Sequence, residues 1–88
     1  MHEISIASEI YKIVEESIKD YKIKNVTLIL IKVGNFNAVD EESLKFAFNV
    51  ISKGSKSENA KIILEGVEGF ELVVEKIEGD EDEEYRNK

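Results

Sequence analysis

Residues 25–33 read NVTLILIKV. Alternation puts Val26, Leu28 and Leu30 on one face of an extended segment and Ile29, Ile31 and Val33 on the other. Both faces are apolar. A strand of that kind is a central one, with a layer against each side. The rest of the chain has to supply its neighbours and its cover.

Upstream, residues 3–21 carry Ile4, Ala7, Ile10, Tyr11, Val14, Ile18 and Tyr21 at spacings of three and four, with charged side chains between them. This is the stripe of an amphipathic helix. Downstream, Gly34 to Val39 reads as a loop. Asp40 reads as a helix N-cap, followed by Glu41 and Glu42 in a first turn where the helix dipole favours anions. Val39 and Leu44 have the spacing of a hydrophobic staple. This second helix runs to about Ser52, with Leu44, Ala47, Phe48 and Ile51 as its buried stripe and Phe46 and Val50 on the margins. Lys53-Gly54 supplies its C-cap. Residues 60–65 and 70–77 read as two further strands, and the GVEG link at 66–69 has the composition of a hairpin turn. From residue 80 the chain is an acidic tail, expected to be disordered.

The order is therefore α-β-α-β-β. The economical packing is a two-layer α/β (α+β) fold, with both helices on one face of a three-stranded mixed sheet. The strand–helix–strand unit in its middle is a parallel crossover. The other sheet face then needs a cover, and a homodimer is one way to provide it.

Composition narrows the function. The chain has 88 residues, enough for one core. A net charge of −7 argues against nucleic acid and anionic membrane surfaces as partners. The longest apolar run, Val26 to Ile31, is too short to span a bilayer. The absence of cysteine removes disulfides and thiolate metal sites and fits a cytoplasmic protein. The single histidine has no serine or cysteine arrangement around it, no phosphate-binding glycine loop is present, and no pair of carboxylates has acid/base spacing. No enzyme is expected.

That histidine is residue 2. The Met1 α-amine, with a pKa near ~8, is partly unprotonated at neutral pH, and the His2 imidazole is neutral there. With the backbone nitrogens of His2 and Glu3 they make a nitrogen-rich set. A metal able to displace amide protons can gather such a set in a plane, which suits Ni(II) or Cu(II) rather than Zn(II) or Mg(II). A solvated histidine is the simpler alternative.

MHEISIASEIYKIVEE at residues 1–16 resembles the amino terminus of the HypA family of hydrogenase nickel-incorporation metallochaperones, which begin M-H-E-[LM]-S. VGNFNAVDEESLKFAFNVISKGS at 33–55 is similar to that family's strand–loop–helix segment, with Gly34, Val39, Glu42, Leu44, Phe46, Ala47, Phe48 and Gly54 in register. NAKIILEGV and FELVVEKIEGDE resemble the strands that follow. The likeness covers residues 1–79, as a HypA-like nickel-binding domain, and 80–88 are the tail. Two departures stand out. Asn35 replaces the family's Glu after Gly34. The family's zinc-binding domain with its paired CxxC motifs is absent at about 66–69, so no zinc is expected.

The resemblance implies that Met1, His2 and Glu3 hold Ni(II) for insertion into hydrogenase or urease. It also implies a hydrogenase maturation GTPase and the hydrogenase large subunit as partners. The alternative is a metal-free HypA-like interaction module that docks on the GTPase or the hydrogenase subunit.

Overall fold

The computed structural model describes residues 3–35 and 38–81. The elements are α1 (Glu3–Ile18), β1 (Ile23–Gly34), α2 (Glu41–Ile51), β2 (Lys61–Val67) and β3 (Leu72–Glu81). The strand order is β2-β1-β3. β1 is the centre, parallel to β2 and antiparallel to β3. The expected class, two helices on one face of a three-stranded mixed sheet, is what the chain adopts.

One core joins the two layers. Ala7, Ile10, Val14 and Ile18 from α1 and Leu44, Ala47 and Phe48 from α2 pack on Val26, Ile29, Ile31 and Val33 of β1 and Ile62 of β2. Ile10, Ile29, Ile31 and Leu44 are all essentially inaccessible. Complete burial of each such side chain contributes about 1.5–3 kcal/mol. The Tyr11 ring meets Phe48 edge-on, with centroids 6.3 Å apart.

Local sequence accounts for most boundaries. Asp40 caps α2: its side chain accepts the Glu42 N–H at 3.2 Å, and its Oδ2 accepts the Ser43 hydroxyl at 3.0 Å. At the other end Ser52, not Lys53-Gly54, is the C-cap, and its N–H returns to the Phe48 carbonyl. Lys22, at φ 51°, lies in the turn between α1 and β1, which ends the helix before Tyr21.

The alternation in β1 is corrected by a bulge. Val26 pairs with Gly79 and Leu28 with Glu78, so Thr27 is an extra residue and the side-chain parity changes there. Val26 consequently joins Ile29, Ile31 and Val33 against the helices, rather than Leu28 and Leu30 on the other face. Leu28 and Leu30 are half-buried. Beside them run the ion pairs Lys32–Glu75 at 3.2 Å and Lys76–Glu78 at 2.9 Å.

The GVEG link is not a hairpin turn. β2 and β3 lie on opposite sides of β1, so the chain between them crosses the end of the central strand. It passes directly over Gly34. A Cβ at that residue would stand 2.2 Å from the Gly69 carbonyl oxygen. The Gly34 N–H donates to the Glu71 carbonyl at 2.6 Å, and the Asn35 side-chain oxygen accepts from the Gly69 N–H at 3.1 Å. Gly69 itself has φ 102°. β3 then runs through Asp80 and Glu81, further than the expected start of the tail, and the Asn25 amide donates to Asp80 at 3.1 Å. The remaining residues of the expected tail, 82–88, lie outside the described residues, as does Phe36, which the sequence suggests as a core-edge aromatic.

Candidate metal centre at the amino terminus

Of the three residues expected to hold metal, Met1 and His2 lie outside the described residues. Glu3 is described, as the first residue of α1. The first four N–H groups of an α-helix have no acceptor within the helix. The Glu3 backbone nitrogen is therefore not committed to the ladder of α1, and its use by a metal would break no helical hydrogen bond.

The Glu3 side chain has a different task. Its Oε2 accepts the backbone N–H of Asp40 at 2.9 Å. Asp40 is the cap of α2, so this bond ties the first turn of one helix to the first turn of the other. The helices run side by side in the same sense, with Glu3 beside Asp40 at one end and Tyr11 against Phe48 further along. Both helix starts thus share one end of the molecule. Sequence reasoning found the Asp40 cap but not its neighbour. No local signal links residues 37 positions apart.

Ile4 was expected in the α1 stripe and Phe46 at the core edge. Both are mostly solvent-facing, at 72% and 71% exposure, and Val50 is 55% exposed. They line a cleft of about 770 Å³ between α1 and α2 that reaches Glu3. Tyr21, the last member of the predicted stripe, is likewise exposed. The stripe instead includes Ile6, which packs against the core and was not read from the periodicity.

Among the described residues no group of three or more His, Cys, Asp or Glu side chains converges as a metal cage. Two lysines have pKa values raised above the ordinary one. Lys32 is raised by its hydrogen bond to Glu75 and then by that carboxylate's charge, and Lys76 by Glu78 in the same way. Both belong to the sheet. No described helix is long and apolar enough to cross a membrane.

Residues 1–78 match the family described as "Hydrogenase/urease nickel incorporation, metallochaperone, hypA". The chain belongs to the HypA family. Among curated HypA proteins it is 35% identical over 65 residues to hydrogenase maturation factor HypA of Psychromonas ingrahamii, covering 74% of this chain and 57% of that one. It is 34% identical over 65 residues to the Salmonella typhimurium hydrogenase maturation factor HypA, with 74% and 55% covered. The chain thus spans little more than half the length of these relatives. The solution structure of the Ni metallochaperone HypA from Helicobacter pylori shares the fold, with a TM-score of 0.67 at 18% identity over 86% of this chain and 72% of that one. The lack of cysteine fits a HypA chain without the zinc-binding domain. The family is one of metal carriers, not enzymes.

Proposed function

We propose that this chain carries Ni(II) on its amino terminus and delivers it, in the cytoplasm, to hydrogenase or urease maturation. The ligands are the Met1 amine, the His2 imidazole and the backbone nitrogens of His2 and Glu3. Family membership supports the cargo. The observation that carries the site is local: Glu3 is the first described residue of α1, and the backbone N–H groups of a helix's first turn have no acceptor within it, so no ladder bond competes with a metal for the Glu3 nitrogen. The Glu3–Asp40 bond holds that start against α2 and gives the ligand arm a fixed root.

Planar nitrogen coordination selects Ni(II) or Cu(II). With its imidazole in second position the arm closes a looser ring set than a third-position histidine would, which suits cargo that must leave. A maturation GTPase and the hydrogenase large subunit are the partners this reading requires. Without cysteine the chain holds no thiolate zinc, and the link over Gly34 stands in place of the zinc-binding domain.

The second reading is a docking module without metal. The exposed apolar cleft beside Glu3 favours it, because such a surface serves a partner whether or not nickel is present.

Titration of Ni(II) into protein with an untagged amino terminus, beside His2→Ala, separates the two. The carrier binds a single Ni(II) per chain by absorbance and calorimetry, and His2→Ala abolishes this with its fold intact. An untagged wild type that binds no nickel leaves the docking module.

A further inference from the structure

Three large apolar side chains of the helix layer face solvent together. Ile4 belongs to the first turn of α1, and Phe46 and Val50 to one ridge of α2. Between them lies the cleft of about 770 Å³, in which Ala47 also takes part. Glu42 begins the same ridge, four residues before Phe46. The cleft is therefore acidic at the helix starts, with Glu3 and Glu42, and apolar towards Val50. Among the described residues no lysine or arginine lines it. Lys45, the nearest cation in sequence, pairs with Glu41 at 3.0 Å.

We infer that this cleft seats an amphipathic helix of a partner protein, one that presents an apolar stripe with lysine or arginine at the end lying over Glu3 and Glu42. The apolar walls lie on two parallel helices and form a groove rather than a flat face, the shape that accepts a helix. Its acid end supplies charge complementarity to a basic segment. A second copy of this chain fits less well. Each copy brings a net charge of −7.

The inference deepens the carrier reading and rests on it. The cleft reaches Glu3, so a helix seated there lies next to the residue whose backbone nitrogen is one of those proposed to hold the cargo.

The test uses two synthetic peptides of about 15 residues, long enough to form a helix in a groove. Both carry leucine at i, i+3, i+4 and i+7. One ends in lysines and its twin in glutamates. Nuclear magnetic resonance shifts report binding to the wild type, Phe46→Ser, Val50→Ser and Glu42→Gln, with circular dichroism to confirm each fold. The lysine peptide is expected to shift the amides of Ile4, Glu42 and Val50 saturably. It should bind about tenfold more weakly to either serine variant, and the wild type should bind the glutamate twin about tenfold more weakly. Absence of saturable shifts overturns the proposal. So does equal binding of the two peptides. A wild-type dimer in sedimentation that Phe46→Ser converts to monomer also overturns it, by giving the cleft to a second copy. Ni(II) titration of the same samples keeps the two readings apart. Nickel binding by Phe46→Ser leaves the carrier intact if the cleft fails, and peptide binding without nickel binding overturns the carrier reading alone.

Discussion

The Glu3 carboxylate accepts the backbone N–H of Asp40 at 2.9 Å, so the first residue of α1 holds the cap of α2. The acceptor comes from a side chain and the donor from the backbone. Glu3→Gln keeps an oxygen that can accept and should change stability little. Glu3→Ala leaves the amide to water and should lower the unfolding free energy by about 1 kcal/mol, a typical net value for one hydrogen bond. Urea denaturation of the pair checks the ordering. Equal stability of the two variants would mean that the bond contributes nothing.

Gly34 makes a sharper prediction, because backbone rather than a side chain lies over it. A Cβ there meets the Gly69 carbonyl oxygen at 2.2 Å and the Glu71 nitrogen at 2.7 Å. Neither can rotate aside. Gly34→Ala should cost about 3 kcal/mol, the upper part of the usual range for overpacking. Gly69→Ala meets no atom but requires φ 102° of a residue with a Cβ, so it too should destabilise. Gly66 has neither constraint, and Gly66→Ala should be close to neutral. Chemical denaturation of the three variants should rank them with Gly66→Ala as the most stable.

These two cases mark what the sequence made legible. Element types and order follow from period and caps: the middle of the α1 stripe from Ala7 to Ile18, the central strand and the Asp40 cap each read locally and each are found. What failed were relationships between distant segments. The glycines at 66 and 69 look like a hairpin turn in isolation, and only the sheet order shows that the link must cross β1. The shift of Val26 to the helix face depends on Thr27 being accommodated opposite β3 as a bulge, which the composition of β1 does not announce. Glu3 was legible as a first-turn residue, while its bond to Asp40 follows from the parallel alignment of the helices. Asn35 was read as a departure from the family pattern, and its role, accepting the Gly69 N–H, appears only once the link is seen above it.

The sheet's ion pairs set an alkaline limit. Lys32 has its pKa raised above 10.5, first by its hydrogen bond to Glu75 and then by that carboxylate's charge. A folded-state pKa above the unfolded one stabilises fully below the unfolded value and is lost as pH rises through the folded value. The contribution is therefore constant at neutral pH and falls away only above pH 10.5. Both side chains are more than a third exposed, so it is small and weakens with salt. Glu75→Gln should bring the Lys32 titration back down, followed at its ε-carbon by nuclear magnetic resonance, and should flatten the stability profile between neutral and strongly alkaline pH. An unchanged Lys32 titration in that variant would mean that the pair does not form in solution.

Phe46 and Phe48 are two residues apart on α2 and face opposite environments. Phe48 is 2% exposed and meets Tyr11, whereas Phe46 is 71% exposed. Phe48→Ala removes a ring from the packed core and leaves a cavity that its neighbours fill only in part, which costs about 3–5 kcal/mol. Phe46→Ala removes a ring from water and should stay within about 0.5 kcal/mol of the wild type. The comparison also bears on the cleft. On the proposed docking surface, Phe46→Ala should leave the denaturation midpoint in place while weakening the lysine peptide. A midpoint shift for Phe46→Ala comparable to that for Phe48→Ala would instead place Phe46 in the core, close the cleft and remove the surface on which a partner helix is proposed to sit.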